Sequence, residues 1–242
     1  MATWITHLRI AENVLVWLPG LEAGPFAVGN IAPDSGIPDA NWEKFNPDPK
    51  ITHFSGRSIS PQIADLDFYN LYLLPLKDQP LDAATFSFRL GYFFHLVTDN
   101  LWSVNIGNPT HEKYAAQFAA DPKFIGEVKE DWYGQDFIYV MNHPGCLFWT
   151  VFLAAEPDTA GLDFLPLEAV RQRVEFIKTF YQRRDEEIQK AIARPMVYLS
   201  AEEMDRFVET ASSKLRAVYD HLWVKGLETG NPYSTLDWAL IH

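Results

Sequence analysis

The stretch GYFFHLVTDNLW, residues 91–102, has the pattern of a buried helix interrupted by two polar side chains. His95 and Asp99 lie among aromatic and aliphatic residues, where an aspartate is costly unless it is paired, hydrogen-bonded or bound to a cation. Because residues four apart on a helix point to the same side, His95 and Asp99 can present an imidazole and a carboxylate to one point. This spacing is typical of metal ligands, although a His–Asp pair that is satisfied within the core has the same pattern.

The composition predicts a globular protein without a nucleic-acid partner. The 242 residues are 48% hydrophobic and 21% charged, with a formal net charge of −12. The longest run of basic residues is the pair Arg183 and Arg184, so sequence-independent binding to nucleic acid or to anionic bilayers is disfavoured. A neutral or zwitterionic partner remains open.

No apolar run reaches the length of a membrane-spanning helix, since His95, Asp99 and Asn100 interrupt the best candidate. We therefore expect no integral membrane segment. The first twenty residues lack the basic start of a signal peptide, and Arg9 and Glu12 break their apolar stretch. The sequence on this basis predicts an unprocessed, cytoplasmic protein.

Helical periodicity dominates the chain and predicts an all-α fold, a multi-helix bundle forming a single domain over residues 1–242. A first helix is expected from a cap at Thr6 to just before Pro19. Residues 24–64 are rich in Gly, Pro, Asn, Asp and Ser, which predicts a long loop. A flexible linker would not bury the aromatic residues of this segment, so we expect the segment to be ordered and to form part of a site.

Further helices are predicted at 64–76, 82–104, 111–120 and 136–155. Two amphipathic helices follow, LEAVRQRVEFIKTFYQRRDEEIQKAIA and SAEEMDRFVETASSKLRAVYDHLWVKGL. Ser200 and Glu203 stand at capping-box spacing at the start of the second one.

Three upstream residues strengthen the interpretation of His95 and Asp99 as a metal site. His7, Asp34 and His53 occur in the short contexts THLRIAE, GNIAPDSG and ITHFS. Imidazoles and carboxylates are ligands that zinc and similar cations select, and a hydrolytic site needs about three of them plus an open position. Each has an alternative interpretation: a core histidine for His7, a turn or helix cap for Asp34, and a surface loop for His53.

The first 105 or so residues resemble the zinc-dependent phospholipase C family in four short motifs that occur in this order: THLRIAENVL, GNIAPD, THF and GYFFHLVTDNLW. The resemblance implies an all-helical fold. It also implies that Asp34, His53, His95 and Asp99 bind a central metal ion. His7 would bind a neighbouring ion bridged by Asp99, and Asp34 would be the general base.

The sequence departs from the family pattern in two places. The secreted family enzymes complete one site with an amino-terminal Trp, whereas this chain begins Met-Ala-Thr before Trp4. The third family metal uses a His where this chain has Asn105, and a later His-x-x-x-Glu that is missing here. We therefore expect one or two zinc or similar ions rather than three. The candidate substitutes for the missing ligands are His111, Asp131, Asp136 and His143.

The function predicted from this ligand set is metal-dependent hydrolysis of a phosphoester, either a small molecule or a phospholipid headgroup. Arg57 is a candidate phosphate clamp, or else a solvated loop arginine. Tyr69, Tyr72 and Trp102 could line a pocket for a quaternary ammonium group, or else pack in the core. The alternatives are a non-catalytic metal-binding protein of the same fold and a metal-free helical interaction protein.

Overall fold

The computed structural model describes residues 1–41, 43–55, 63–80, 82–229 and 233–238. The fold is all-α, as predicted. The α-helices are α1 (Trp4–Trp17), α2 (Ala23–Gly29), α3 (Pro49–Thr52), α4 (Asp65–Phe68), α5 (Ala83–Trp102), α6 (Asn108–Lys113), α7 (Ala115–Ala120), α8 (Ile125–Asn142), α9 (Leu147–Thr150), α10 (Leu167–Tyr181), α11 (Glu186–Ala193) and α12 (Ala201–Tyr219). Short 3-10 turns lie at Ala32–Asp34, Leu74–Asp78, Phe152–Ala154 and Thr235–Asp237, and π-helical turns at Tyr69–Leu73, Ser103–Gly107 and Asp220–Val224.

Helix α5 is the central element of the core. Asp82 caps its first turn by accepting a hydrogen bond from the Thr85 backbone N–H at 2.8 Å. From Phe86 to Trp102 every residue except Arg89 is buried. A helix that is apolar on all sides must be surrounded by other elements, and α1, α2, α4 and α12 all contact α5.

The described part of the segment predicted as one long loop contains regular structure. It includes α2, the 3-10 turn ending at Asp34, a two-stranded antiparallel sheet and α3. In the sheet β1 (Ile37–Pro38) pairs with β2 (Phe45–Asn46). Helix α2 was missed because its sequence AGPFAVG contains two glycines and a proline, which are typical of loops.

Other boundaries also differ from the sequence-based expectation. Helix α1 begins at Trp4, and Thr6 lies buried inside it instead of capping it. Helix α8 begins at Ile125, eleven residues before the predicted 136. The first of the two closing helices is divided at Asp185, whose side chain caps α11 at Ile188 N. The predicted capping box of Ser200 and Glu203 is confirmed.

Two glycines allow α2 to cross α5 at very short range. A Cβ atom on Gly91 would lie 2.4 Å from the Phe26 carbonyl oxygen, and one on Gly29 would lie 2.1 Å from the Phe88 carbonyl oxygen. No side chain fits at either position. Gly91 therefore makes room for the close approach of α2.

Within the described residues no single helix has the length and apolar content needed to cross a membrane. One bent pair, Ile125–Asn142 with Leu147–Ala154 at 64°, meets that criterion by length and composition alone.

Candidate metal centre

Five side chains from four parts of the chain meet beside α5, and we call them the His–Asp cluster: His7, Asp34, His53, His95 and Asp99. His7 comes from α1, Asp34 ends the 3-10 turn after α2, His53 follows α3, and the other two lie on α5. The structure thus brings together all five residues singled out from the sequence.

Asp99 lies between two groups of ligands. Its Oδ1 atom is 3.4 Å from His7 Nε2, and its Oδ2 atom is 3.4 Å from His95 Nε2 and 3.6 Å from His53 Nε2. Asp34 Oδ1 is 3.3 Å from His53 Nε2 and 4.0 Å from His95 Nε2. Two triads have ligand atoms close enough to share an ion, namely His7 with His95 and Asp99, and Asp34 with His53 and His95.

Backbone carbonyl groups orient two of the imidazoles. His95 Nδ1 lies 2.7 Å from the Asn30 carbonyl oxygen, and His53 Nδ1 lies 3.1 Å from that of Pro49. When Nδ1 carries the proton and donates it to these oxygens, Nε2 keeps its lone pair and faces the cluster centre. This is the arrangement in which metal-binding histidines are usually held.

The inner atoms of the cluster are unsatisfied. Among the described residues, no hydrogen-bond partner is found for Nε2 of His7, His53 or His95, or for Asp99 Oδ2, although these atoms are buried. Buried polar groups without partners are rare and costly, and an ion or ordered water is the usual explanation. The donor set of nitrogen and carboxylate oxygen fits zinc or a similar transition metal.

The two sides of Asp99 are not equivalent. Oδ1 accepts a hydrogen bond from the Ala2 backbone N–H at 2.7 Å, whereas the neighbours of Oδ2 among the described residues are the imidazoles of His53 and His95. The lone pairs of Oδ2 therefore remain available to a cation on the side of His53 and His95.

Electrostatics favours ionised carboxylates in the cluster. Burial raises the pKa of Asp99, but the electrostatic interaction with His95 outweighs it and holds this pKa well below its usual range. Asp34 follows the same balance, with His53 and His95 lowering its pKa against burial. Burial, followed by the charge on His95, lowers the pKa of His7 to about 4. Two carboxylates in a nearly enclosed site attract positive charge.

A cleft with a cavity volume of about 190 Å³ opens onto one edge of the cluster. Asp34 and His53 lie in its wall, together with Trp4, Tyr133 and Arg173. Trp4 Nε1 donates a hydrogen bond to Asp34 Oδ2 at 2.8 Å, which fixes the carboxylate at the cleft edge. A small ligand in the cleft would therefore meet Asp34 and His53 first.

The expected substitute ligands for a third metal do not join the cluster. His111 and His143 are exposed. His111, in α6, stacks on Phe118 of α7, and His143, directly after α8, stacks on Tyr139 of that helix. Asn105, at the position of the family histidine, is exposed and donates to the Leu101 carbonyl oxygen.

The two acidic candidates have structural partners instead. Asp131 pairs with Arg194 and accepts the Tyr198 backbone N–H at 2.6 Å. Asp136 accepts hydrogen bonds from Thr3 Oγ1 at 2.7 Å and from the Tyr181 hydroxyl at 2.5 Å, so it holds the start of α1 against α8 and α10.

The three aromatic residues considered either for a headgroup pocket or for the core lie away from the cleft. Trp102 is fully buried, the Tyr69 hydroxyl donates to the Leu222 carbonyl oxygen, and neither they nor Tyr72 line the cleft of the His–Asp cluster. Arg57 lies outside the described residues.

Sequence reasoning missed the residues that support the cluster. Asn30 contributes only a backbone oxygen, which no side-chain pattern reveals, and Trp4 reaches Asp34 across the chain. Trp4 and His7 are three residues apart on α1, which places both on one side of the helix. This spacing could have indicated from the sequence that Trp4 lies beside the cluster.

No known protein family, curated protein or solved structure matches this chain.

Proposed function

We propose that the protein is a metal-dependent phosphoester hydrolase that uses one zinc or similar ion held by Asp34, His53, His95 and Asp99. The observation that carries this proposal is the convergence of unsatisfied, buried imidazole nitrogens and a carboxylate oxygen next to an open cleft. The sequence resemblance to zinc-dependent phospholipase C supports the same reaction.

Each ligand has its own role in this proposal. His53 and His95 are presented through Nε2 by the carbonyl groups that hold their Nδ1 atoms. Asp99 contributes Oδ2, while Oδ1 is held by Ala2. A second ion on the side of His7 would compete with that hydrogen bond, which favours a single ion.

A divalent ion in such a site lowers the pKa of a water molecule and offsets the charge of a phosphoryl group. The protein must then orient that water for in-line attack. Asp34 is suited to this role because it is the carboxylate of the cluster that lines the cleft. We assign it as the group that orients the water and accepts its proton.

The direct test is turnover of a chromogenic phosphodiester, a phosphomonoester and a zwitterionic phospholipid by the zinc-loaded protein, compared with Asp34→Asn. We expect Asp34→Asn to retain zinc and to lose turnover by about a hundredfold or more, as for loss of a positioned base. Zinc binding without turnover on any substrate, across neutral to alkaline pH, would instead support the non-catalytic metal-binding alternative.

The structure calls for one control in this test. Asp34 Oδ2 accepts the Trp4 Nε1–H, so an amide at position 34 can turn its oxygen towards Trp4 and away from the ion. Trp4→Phe removes the donor, and the double variant Trp4→Phe with Asp34→Asn frees that oxygen for the metal. If only the double variant retains zinc, the loss in the single variant reflects amide orientation and Asp34 is confirmed as a ligand through Oδ1.

A further inference from the structure

The cleft beside the His–Asp cluster is lined by two cationic side chains as well as by Asp34. Lys129 and Tyr133 come from successive turns of α8, and Arg173 comes from α10. Helix α10 also contacts the 3-10 turn that ends at Asp34. A ligand in this cleft therefore shares it with two cations as well as with Asp34 and His53 of the cluster.

Arg173 is held in place by aromatic contacts. Its guanidinium carbon lies 5.3 Å from the centroid of the Trp4 ring and 5.8 Å from that of Phe176. Because Trp4 is in turn hydrogen-bonded to Asp34, the position of the guanidinium is fixed relative to the edge of the cluster.

The charge of Arg173 has no carboxylate partner in the described part of the chain. Two other arginines in this part of the chain differ, since Arg171 pairs with Glu168, and Arg183 with Asp185 and Glu187. The Arg173 Nε atom is buried and lacks a hydrogen-bond acceptor among the described residues. A buried guanidinium N–H without an acceptor is costly, so an anion is the partner its chemistry suits.

Lys129 adds a second positive charge to the same wall. It forms no ion pair with any described carboxylate, although the chain carries a net charge of −12. Two unpaired cations facing one small cleft in an acidic protein create a local field that attracts anions.

We propose that Arg173 and Lys129 bind the second negative charge of a phosphate monoester, and that the protein therefore prefers dianionic monoesters to diesters and to zwitterionic phospholipids. This inference rests on the proposed function for the position of the phosphoryl group at the cluster. Trp4 and Tyr133, in the same cleft, contact the apolar part of the alcohol.

The test uses binding, which does not depend on turnover. Phenylphosphonate, a dianion at pH 8, and its monomethyl ester, a monoanion, are titrated calorimetrically into the protein as purified and after zinc addition. We expect the wild type to favour the dianion, and Arg173→Gln and Lys129→Gln each to reduce that preference by about tenfold, as for loss of a hydrogen bond to a charged group.

Matched variants separate charge from packing. Arg171→Gln removes an arginine from the same helix that is already paired with Glu168, and the preference should stay unchanged. Arg173→Lys keeps the charge and should retain most of the preference. A loss in Arg173→Lys equal to that in Arg173→Gln would show that packing against Trp4, rather than charge, is responsible, and would overturn the proposal.

The proposed function and this inference fail in different ways. A dianion preference that depends on Arg173 supports the inference even if no ester is hydrolysed. Turnover with no dianion preference, or with one that Arg173→Gln leaves intact, overturns the inference and leaves the hydrolase proposal standing. Failure of both phosphonates to bind overturns the inference as well.

Discussion

Two neighbouring residues of α5, Asp99 and Asn100, belong to buried polar clusters of opposite character. Asn100 Nδ2 donates to Asp65 Oδ2 at 2.9 Å, and Asp65 also accepts from Ser234 Oγ and from both the backbone N–H and Oγ1 of Thr235. We call these four residues the Asp65 network. Asp99, one position earlier, faces imidazole nitrogens that have no acceptor or donor among the described residues.

The two clusters differ in whether the chain itself supplies hydrogen-bond partners for the buried polar groups. In the Asp65 network the chain itself satisfies the buried carboxylate, and the network ties the segment around Thr235 to α5. Such a network stabilises the fold. In the His–Asp cluster, polar atoms that are equally buried have no hydrogen-bond partners among the described residues. Leaving such atoms without partners destabilises the folded state unless a bound ion or water compensates. Burial of an aspartate alone therefore does not distinguish a site from a structural network, whereas unsatisfied partners do.

The largest expected effect is on metal binding. His95→Ala removes a ligand from the centre of the cluster, and we expect zinc affinity to fall at least about a thousandfold, roughly 4 kcal/mol, beyond the range seen for residues that only support a ligand. Elemental analysis after dialysis, without chelator, measures retained zinc.

Two further variants make this result specific. His143→Ala removes an exposed histidine, and Asp65→Asn alters the buried carboxylate of the Asp65 network; both variants should retain zinc as the wild type does. If His95→Ala retains as much zinc as the wild type, or if the wild type takes up no zinc, the proposed difference between the two clusters is contradicted.

The second effect is on the pH dependence of stability. Burial raises the pKa of Asp65 from 3.8 to about 6 against the opposing hydrogen bonds of Thr235, Asn100 and Ser234. The folded state therefore binds a proton more tightly than the unfolded chain. Its contribution to the free energy of unfolding is full below about pH 4 and is lost as pH rises through about 6, a change of roughly 3 kcal/mol.

Denaturant unfolding between pH 4 and pH 7 measures this effect. Asp65→Asn cannot titrate, so its stability should fall less with rising pH than that of the wild type. Asp67→Asn, in the same short helix, is the matched control and should follow the wild type. Parallel curves for wild type and Asp65→Asn would show that the four donors, rather than burial, determine the ionisation of Asp65.

The sequence was sufficient to predict the fold class and the members of the His–Asp cluster. Helical spacing placed His95 and Asp99 on one face of a helix. Short sequence motifs identified the other three members, His7, Asp34 and His53. These signals are local, because each depends on residues adjacent in the chain or one helical turn apart.

What the sequence could not predict depends on long-range contacts. The approach of α2 to α5 sets the Asn30 carbonyl oxygen against His95, and it requires Gly29 and Gly91 to face each other across the chain. Arg173 likewise lies in an amphipathic helix whose pattern gives no reason to distinguish it from Arg171. The Asp65 network was missed for the same reason, since Thr235 is distant in sequence.

The smallest effect compares two buried threonine hydroxyls. Thr235 Oγ1 donates to Asp65 Oδ2 at 2.9 Å, whereas Thr98 Oγ1, on α5, has no partner among the described residues. Replacing a hydroxyl by a methyl group at Thr235→Val leaves a carboxylate with one donor fewer, which costs about 1–2 kcal/mol. At Thr98→Val the same change removes an unsatisfied group and should be neutral or slightly stabilising. Thermal unfolding of the two variants tests whether satisfied and unsatisfied buried groups differ as proposed, and zinc retention should be unchanged in Thr235→Val. Equal destabilisation of the two variants would mean that Thr98 has a partner, such as ordered water, that the protein atoms do not reveal.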